Sequence, residues 1–366
     1  MRIICKKSNL VKGVSIVSKA VPSKTTMPIL ECILIDATTD VIKLTANDME
    51  LGIETTIDGI IDSRGIIALN AKIFSEIVRK LPDNDVVIET ESDNQAIITC
   101  EKAKFNIAAQ SGDDFSYLPA IEREDFITIS EFTLKEVVRQ TIFSIADNDT
   151  NKMMTGELFE IDNDVLRVVS LDGHRISIRK VDLKEQYDDV SVIIPGKTLI
   201  EISKILNGGL DDEICMYFTD KHVLFEFDNT IVLSRLIEGE YYKIDKMLSS
   251  DYETKITVNK KDLFDCIDRT TLMIRESEKK PVIIDIKDTS MSLAINSGIG
   301  SMSEDIDISK EGKDILIGFN PKFLMDALKV IDEEEITMYM INPKAPCFIR
   351  NMDETYVYLI LPVNFN

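Results

Sequence analysis

The hydrophobic positions of the chain recur in a long-period pattern. Short stretches that are apolar at every second residue run into segments whose apolar residues return every three or four, the marks of a strand and an amphipathic helix. IICKKSNLVKGVSIVSKAV from Ile3, ITISEFTLKEVVRQTIFSI from Ile127 and ITVNKKDLFDCIDRTTLMI from Ile256 superimpose without gaps, each reading as strand then helix. Leu10, Leu134 and Leu263 coincide, as do Val14, Val138 and Ile267. A second triple, ALNAKIFSEIVRKL from Ala68, IIPGKTLIEISKIL from Ile193 and GFNPKFLMDALKVI from Gly318, repeats at a spacing of 125 residues. Phe74, Leu199 and Leu324 coincide there, with Leu81, Leu206 and Ile331 further along the same stripe. The periodicity predicts helices over 8–20, 70–81, 133–145, 195–207, 259–274 and 320–330.

Between the helices, segments such as CILIDATTDVIKLTANDMELGIETTIDG, ELFEIDNDVLRVVSLDGHRISIRK and PVIIDIKDTSMSLAINSG alternate, with Asp, Asn and Gly at the turns, and read as antiparallel meanders. The fold class is therefore α+β: three tandem similar domains, each with two helices packed on antiparallel sheets. The 366 residues divide as 1–122, 123–250 and 251–366, with polar seams near 121–125 and 248–253.

The repeat carries charge as well as leucines. Lys72, Lys197 and Lys322 share one repeat position, and Arg79, Lys204 and Lys329 share another, seven residues on and close to the same helical face. Core packing explains repeated leucines but not repeated lysines. The chain as a whole is acidic, with 42 Lys plus Arg against 64 Asp plus Glu and a net charge of −22. The six predicted helices nonetheless carry a net +7, which leaves −29 on everything else. Two electrostatic faces follow, and the basic one suits phosphates.

Little in the chain suggests catalysis. There are two histidines, His174 and His222, which excludes a His-rich metal site, and no P-loop, G-x-S-x-G or H-E-x-x-H motif occurs. The run SGIGSMS has Ser303 where a dinucleotide fingerprint needs its third glycine, so it reads as a turn. Asp147, Asp149 and Asn151 imitate a calcium loop, yet Lys152 and Leu158 stand where its glycine and bidentate glutamate belong. No cofactor and no metal is expected. The six cysteines lie far apart without a C-x-x-C pair, and Lys6 and Lys7 interrupt any leader-like apolar start, which together point to the cytoplasm rather than a membrane or secretion. The densest polar cluster is SLDGHRIS, an Asp172-Gly173 turn that carries His174 and Arg175, residues without counterparts in the other repeats. The terminal YVYLILPVNFN reads as a closing strand ending at Pro362, with an apolar ledge that a short peptide could use.

Together with the triplication, TTMPIL (25–30), LTANDMEL (44–51), LDGHRIS (171–177), SRLIEGEYY (234–242), IGFNPKFLMDAL (317–328) and the terminal LILPV resemble the bacterial sliding clamps, the beta subunits of DNA polymerase III, over the whole chain in order. That resemblance implies a head-to-tail homodimer closing into a ring of six domains around double-stranded DNA, held without sequence specificity and without catalysis. It implies a cleft between the second and third domains for linear motifs of DNA polymerase subunits, the clamp loader and repair proteins. Its wall would comprise Met154, Leu171, Gly173, His174, Arg175, Ile176, Tyr242, Lys246, Met247, Phe323, Leu359, Leu361, Pro362 and Val363. The DNA-facing set would be Lys24, Lys72, Arg79, Asn148, Lys152, Lys197, Lys204, Lys322 and Lys329. The ring interface would pair Phe105 and Ile107 with Leu272 and Met273. The chain departs from the family pattern at Tyr242, where a proline is usual, at Lys246, where arginine is frequent, and in GDDFSYLP (112–119), which lacks a proline often seen after its aromatic. Two other classes compete: a hydrolase using paired carboxylates, which would concentrate its peculiarities in one cleft, and a peptide-binding scaffold that never meets DNA.

Overall fold

The computed structural model describes residues 1–92, 95–124, 126–147, 150–275 and 280–365. Each predicted helix is present: α1 Lys7–Val17, α2 Ala71–Lys80, α3 Glu131–Thr141, α4 Gly196–Ile205, α5 Lys260–Thr271 and α6 Pro321–Val330. The starts are set locally. Asn70, Asn259 and Asn320 accept backbone N–H groups at the N-termini of α2, α5 and α6, and Pro321 takes the first helical position of α6. The ends are shorter than the periodicity predicts, because α1 and α3 tighten into 3-10 turns at Ser18–Ala20 and Ile142–Ser144. On α2 the inward face is Ala71, Phe74, Ser75, Ile77 and Val78.

The described strands pair antiparallel and fall into two compact units, residues 1–132 with 201–236, and residues 133–200 with 237–366. The second repeat is shared between them. In the first unit its strands Phe126–Ser130 and Glu213–Phe218 close one end of a thirteen-stranded sheet among the described residues, and Thr230–Arg235 pairs with Leu51–Ile57 of the first repeat. The hydroxyls of Thr55 and Thr230 meet at 2.9 Å inside that seam. In the second unit a ten-stranded sheet joins the long ribbon Gly156–Leu171 and Arg175–Pro195 to the closing strand Tyr356–Ile360 of the third repeat. The sequence suggests a meander here with a turn at Asp162-Asn163. The chain does reverse there: Asn163 adopts φ +55°, and Arg167 Nη1 reaches Glu160, seven residues back, at 2.9 Å, where one continuous extended strand would hold them roughly 20 Å apart. The Asp172-Gly173 turn is a hairpin as read, with Gly173 at φ +87°. The run around Gly298 and Gly300 is the tight connection of another hairpin, Ser290–Asn296 to Ser301–Gly312. No helix among the described residues is long and apolar enough to cross a membrane.

Register aligns side chains in rows across the second unit's sheet. Leu171, Ile176, Leu359 and Phe348 lie side by side, then Val169, Ile178, Val357 and Arg350, then Arg167 and Lys180. The first two rows supply most of a buried apolar cluster with Leu158, Ile193, Tyr241 and Ile244. Glu157, on the same ribbon, is fully buried and neither carboxylate oxygen has a hydrogen-bond partner among the described residues. Burial pushes its pKa from 4.5 up to about 8; the nearby Thr141 hydroxyl offsets little, since it donates to the carbonyl of Val137 at 2.7 Å.

The folded chain thus keeps a proton that the unfolded chain releases between pH 4.5 and about 8, so this group's contribution to stability falls as pH rises through that window. Glu157→Gln is expected to flatten this slope. Chemical denaturation from pH 5 to 8 should show the variant gaining on the parent chain by at most about 1.4 kcal/mol per pH unit, and parallel curves would show that Glu157 is not protonated in the fold.

Candidate functional site

The expected cleft residues all lie in the second unit, and the rows explain how they meet. Leu171, Ile176 and Leu359 form an apolar floor, each under a tenth exposed, with Met154 packed on the same cluster. The floor ends at the hairpin turn. There Asp172 Oδ1 accepts the backbone N–H groups of His174 and Arg175, which fixes the turn and leaves His174 exposed. The His174 ring stacks on Phe323, the centroids 6.1 Å apart. Beyond the closing strand, Leu361 donates its N–H to the carbonyl of His174 and Val363 donates to that of Gly318, at 2.9 and 2.8 Å. Leu361 and Val363 thereby flank the stacked pair, 39% and 37% exposed, with Pro362 between them. Tyr242, Lys246 and Met247 come from the segment that ends the second repeat, and Met247 is 54% exposed. Two adjoining features result: an apolar floor and an aromatic shelf. The floor is buried beneath its neighbours, and the shelf is partly exposed.

Arg175 supports the wall from behind instead of lining it. Its side chain is 7% exposed; Nε donates to Asp172 at 3.0 Å, Nη1 to Asp326 on α6 at 2.8 Å and Nη2 to the carbonyl of Phe143 at 2.5 Å. The guanidinium also lies 4.3 Å from the Phe323 ring centroid and 5.5 Å from that of Phe143. Burial opposes its charge, but the hydrogen bond to Asp326, with Tyr358 and Asp172 close by, outweighs burial and holds the pKa above the ordinary arginine value. Asp326 and Phe143 escape a motif reading. The signal for Asp326 is in the repeat: Glu76, Glu201 and Asp326 are also 125 apart, a third charged position of the same helix.

The repeated cations project outward. Lys72, Lys197 and Lys322 sit near the N-termini of α2, α4 and α6, and Arg79, Lys204 and Lys329 in their last turns, all exposed. The last-turn cations complement the helix macrodipole, whereas a lysine at the second position opposes it, so helix stability accounts for one set and not the other. Lys204 pairs with Glu201 at 2.8 Å. Lys24 is exposed on an irregular segment, Lys152 is exposed at the start of the 3-10 turn Lys152–Thr155, and Asn148 lies outside the described residues. Among the described residues no cluster of three metal-ligating side chains occurs.

Of the expected interface residues, Phe105 and Ile107 lie on an open strand edge, and Leu272 and Met273 follow α5. Strand Ala103–Ser111 pairs through 103–108 with Gln95–Cys100 and through 109–111 with Ile66–Asn70, which leaves the other edge of 103–108 unpaired among the described residues. Strand Ser301–Gly312 is likewise unpaired on the outer edge of 301–307. Phe105 is 38% exposed on the first edge, and Leu272, just past α5, is 71% exposed.

A triplicated α+β chain with outward cations on equivalent helices and open strand edges defines a class, that of ring-forming clamps. The chain belongs to the DNA polymerase III beta subunit family: the N-terminal, central and C-terminal domain descriptions of that family match residues 1–119, 128–243 and 245–364. It is 37% identical over 376 residues, 99% of each chain, to the beta sliding clamp of Bacillus subtilis (strain 168). A solved chain from Eubacterium rectale ATCC 33656, described as a DNA polymerase III beta subunit, is 67% identical with a TM-score of 0.98, and the DNA polymerase sliding clamp from Bacillus subtilis is 36% identical with a TM-score of 0.96, each covering 100% of both chains.

Replacing Arg175 by Met leaves Asp326 and Asp172 as uncompensated, mostly buried carboxylates, so thermal or denaturant unfolding should show a loss of about 3–5 kcal/mol. His174→Ala, at an exposed position, should leave stability within about 0.5 kcal/mol of the parent.

Proposed function

We propose that the chain is a non-catalytic sliding clamp of the cytoplasm: two copies join head to tail in a ring that encloses duplex DNA and holds the replicative polymerase and other replication and repair proteins on it. The observation that carries this reading is the cation pair repeated on α2, α4 and α6 in a chain of net charge −22. Phosphate contacts of this kind hold any sequence equally, and a strongly acidic remainder keeps DNA away from other surfaces. Retention then comes from closure of the ring. No cofactor is required, because nothing in the task breaks or makes a bond.

The two open strand edges support the homodimer. Residues 103–108 carry Lys104 with apolar Phe105 and Ile107, and residues 301–307 carry Glu304, Asp305 and Asp307. One edge is basic and the other acidic, so antiparallel pairing between protomers favours head-to-tail contact over like-with-like contact. Leu272 and Met273 supply the apolar part. The floor and the shelf of the second unit would take the Leu and Phe anchors of partner motifs, and Met154, Met247 and Leu361 allow repacking around different anchors. Tyr242 and Lys246 replace a rigid proline and a planar fork, which favours a more permissive groove edge.

Reversing charge at Lys72, Lys197 and Lys322 together should weaken salt-sensitive binding to duplex DNA and make its salt dependence shallower by roughly one unit of slope per lost phosphate contact. Affinity for a Leu/Phe-bearing motif peptide should stay unchanged. DNA retention that survives the triple reversal at low salt would remove the inner-helix assignment and favour a scaffold that never meets DNA. Independently, Leu272→Asp is expected to shift sedimentation from dimer to monomer at micromolar concentration, and an undisturbed dimer would place the interface elsewhere.

A further inference from the structure

The groove's outer lip is a stretch of chain with no strand in it. From Ile237 to Ser250 it carries a single 3-10 turn, Asp245–Met247, and it presents Tyr242, Lys246 and Met247. Loops of this length are mobile unless something ties them down. Four apolar side chains do part of this, since Tyr241 and Ile244 are buried in the sheet's apolar cluster and Ile237 and Leu248 pack against it. Their spacing turns Tyr242, Lys246 and Met247 to the outside, but apolar contacts leave the lip's position along the sheet loosely set.

Two arginines from the rows beyond the floor supply the missing register. Arg167, 19% exposed, donates from Nη2 to Asp245 at 2.8 Å while its Nη1 holds Glu160 at 2.9 Å. Arg350, 10% exposed, donates from Nη2 to the carbonyl of Ser249 and lies over the Phe348 ring at 4.5 Å and the Tyr339 ring at 5.6 Å. The two contacts fall on either side of Lys246 and Met247. They border a cavity of about 340 Å³ lined by Asp245 and by residues 248–250, so packing alone does not fill the space under the lip there. We propose that Arg167 and Arg350 are positioning residues for peptide docking, clamping the Asp245–Ser249 stretch so that Lys246 and Met247 meet the ligand at a fixed height above the floor. The proposal rests on the groove being the peptide site.

Asp245 offers a clean test because it is 76% exposed, so its loss does not threaten the fold. A fluorescent peptide bearing Leu and Phe anchors would be titrated by anisotropy against the full-length protein and its Asp245→Asn, Arg167→Met, Arg167→Lys and Asp245→Asn/Arg167→Met variants, with melting temperatures measured alongside. Removing one half-buried ion pair should weaken binding about five-fold in Asp245→Asn, with its melting temperature unchanged. The double variant should bind no worse than the weaker single one, and Arg167→Lys should recover most of the loss. Unchanged affinity in Asp245→Asn, or fully additive losses in the double variant, would overturn the proposal. Leu361→Asp separates the two readings: if it leaves peptide affinity intact, the groove assignment fails and the positioning role falls with it. If it abolishes binding while Asp245→Asn does nothing, only the positioning role fails.

Discussion

One buried charge organises the functional end of the second unit. The Arg175 guanidinium is held by Asp172 in the hairpin turn, by Asp326 on α6 and by the carbonyl of Phe143 after α3, with Phe323 over its face. These partners come from three separate stretches of chain and from two repeats. A planar group with five donors in a fixed fork can satisfy them together, and a lysine could not. The hairpin turn, the aromatic shelf and the N-terminal half of α6 are therefore placed relative to one another by a single residue. The floor rows and the tail contacts of Leu361 and Val363 then follow from strand register.

The same logic explains why so much of the chain is plain. Clamping DNA by closure asks for repeated helices with cations outward, complementary strand edges and a groove, and none of these needs a reactive group. The unusual residues concentrate around the hairpin turn at Asp172 and the shelf beside it. Apolar packing builds the floor, hydrogen-bonded charges set its borders, and the lip that completes it is tied by Arg167 and Arg350 more than by its own secondary structure.

The fold was largely legible in the sequence because its repeat keeps both apolar period and polar positions over three copies. Leu10, Leu134 and Leu263 are all fully buried, as the superposition requires. Helix ends were less legible: the shortened C-termini of α1 and α3 depend on local 3-10 tightening, which leaves no periodic trace. The turn at Asn163 was legible because Asn tolerates the positive φ that it adopts there. Leu171, Ile176 and Leu359 share one row across the sheet, a neighbourhood set by cross-strand register for which periodicity alone gave no reason. Arg175 was noticed for its isolation and Asp326 was not, because its partner is 151 residues away and a buried pair of that separation has no local signature.

The account's central claim is that two copies close into a hollow ring. Small-angle scattering with an absolute mass, on purified protein without DNA, tests this most directly. A ring gives a mass near twice 41.3 kDa and a distance distribution with the depletion of a central hole. A compact, solid particle of any mass would contradict encirclement and leave the groove as the chain's main working surface.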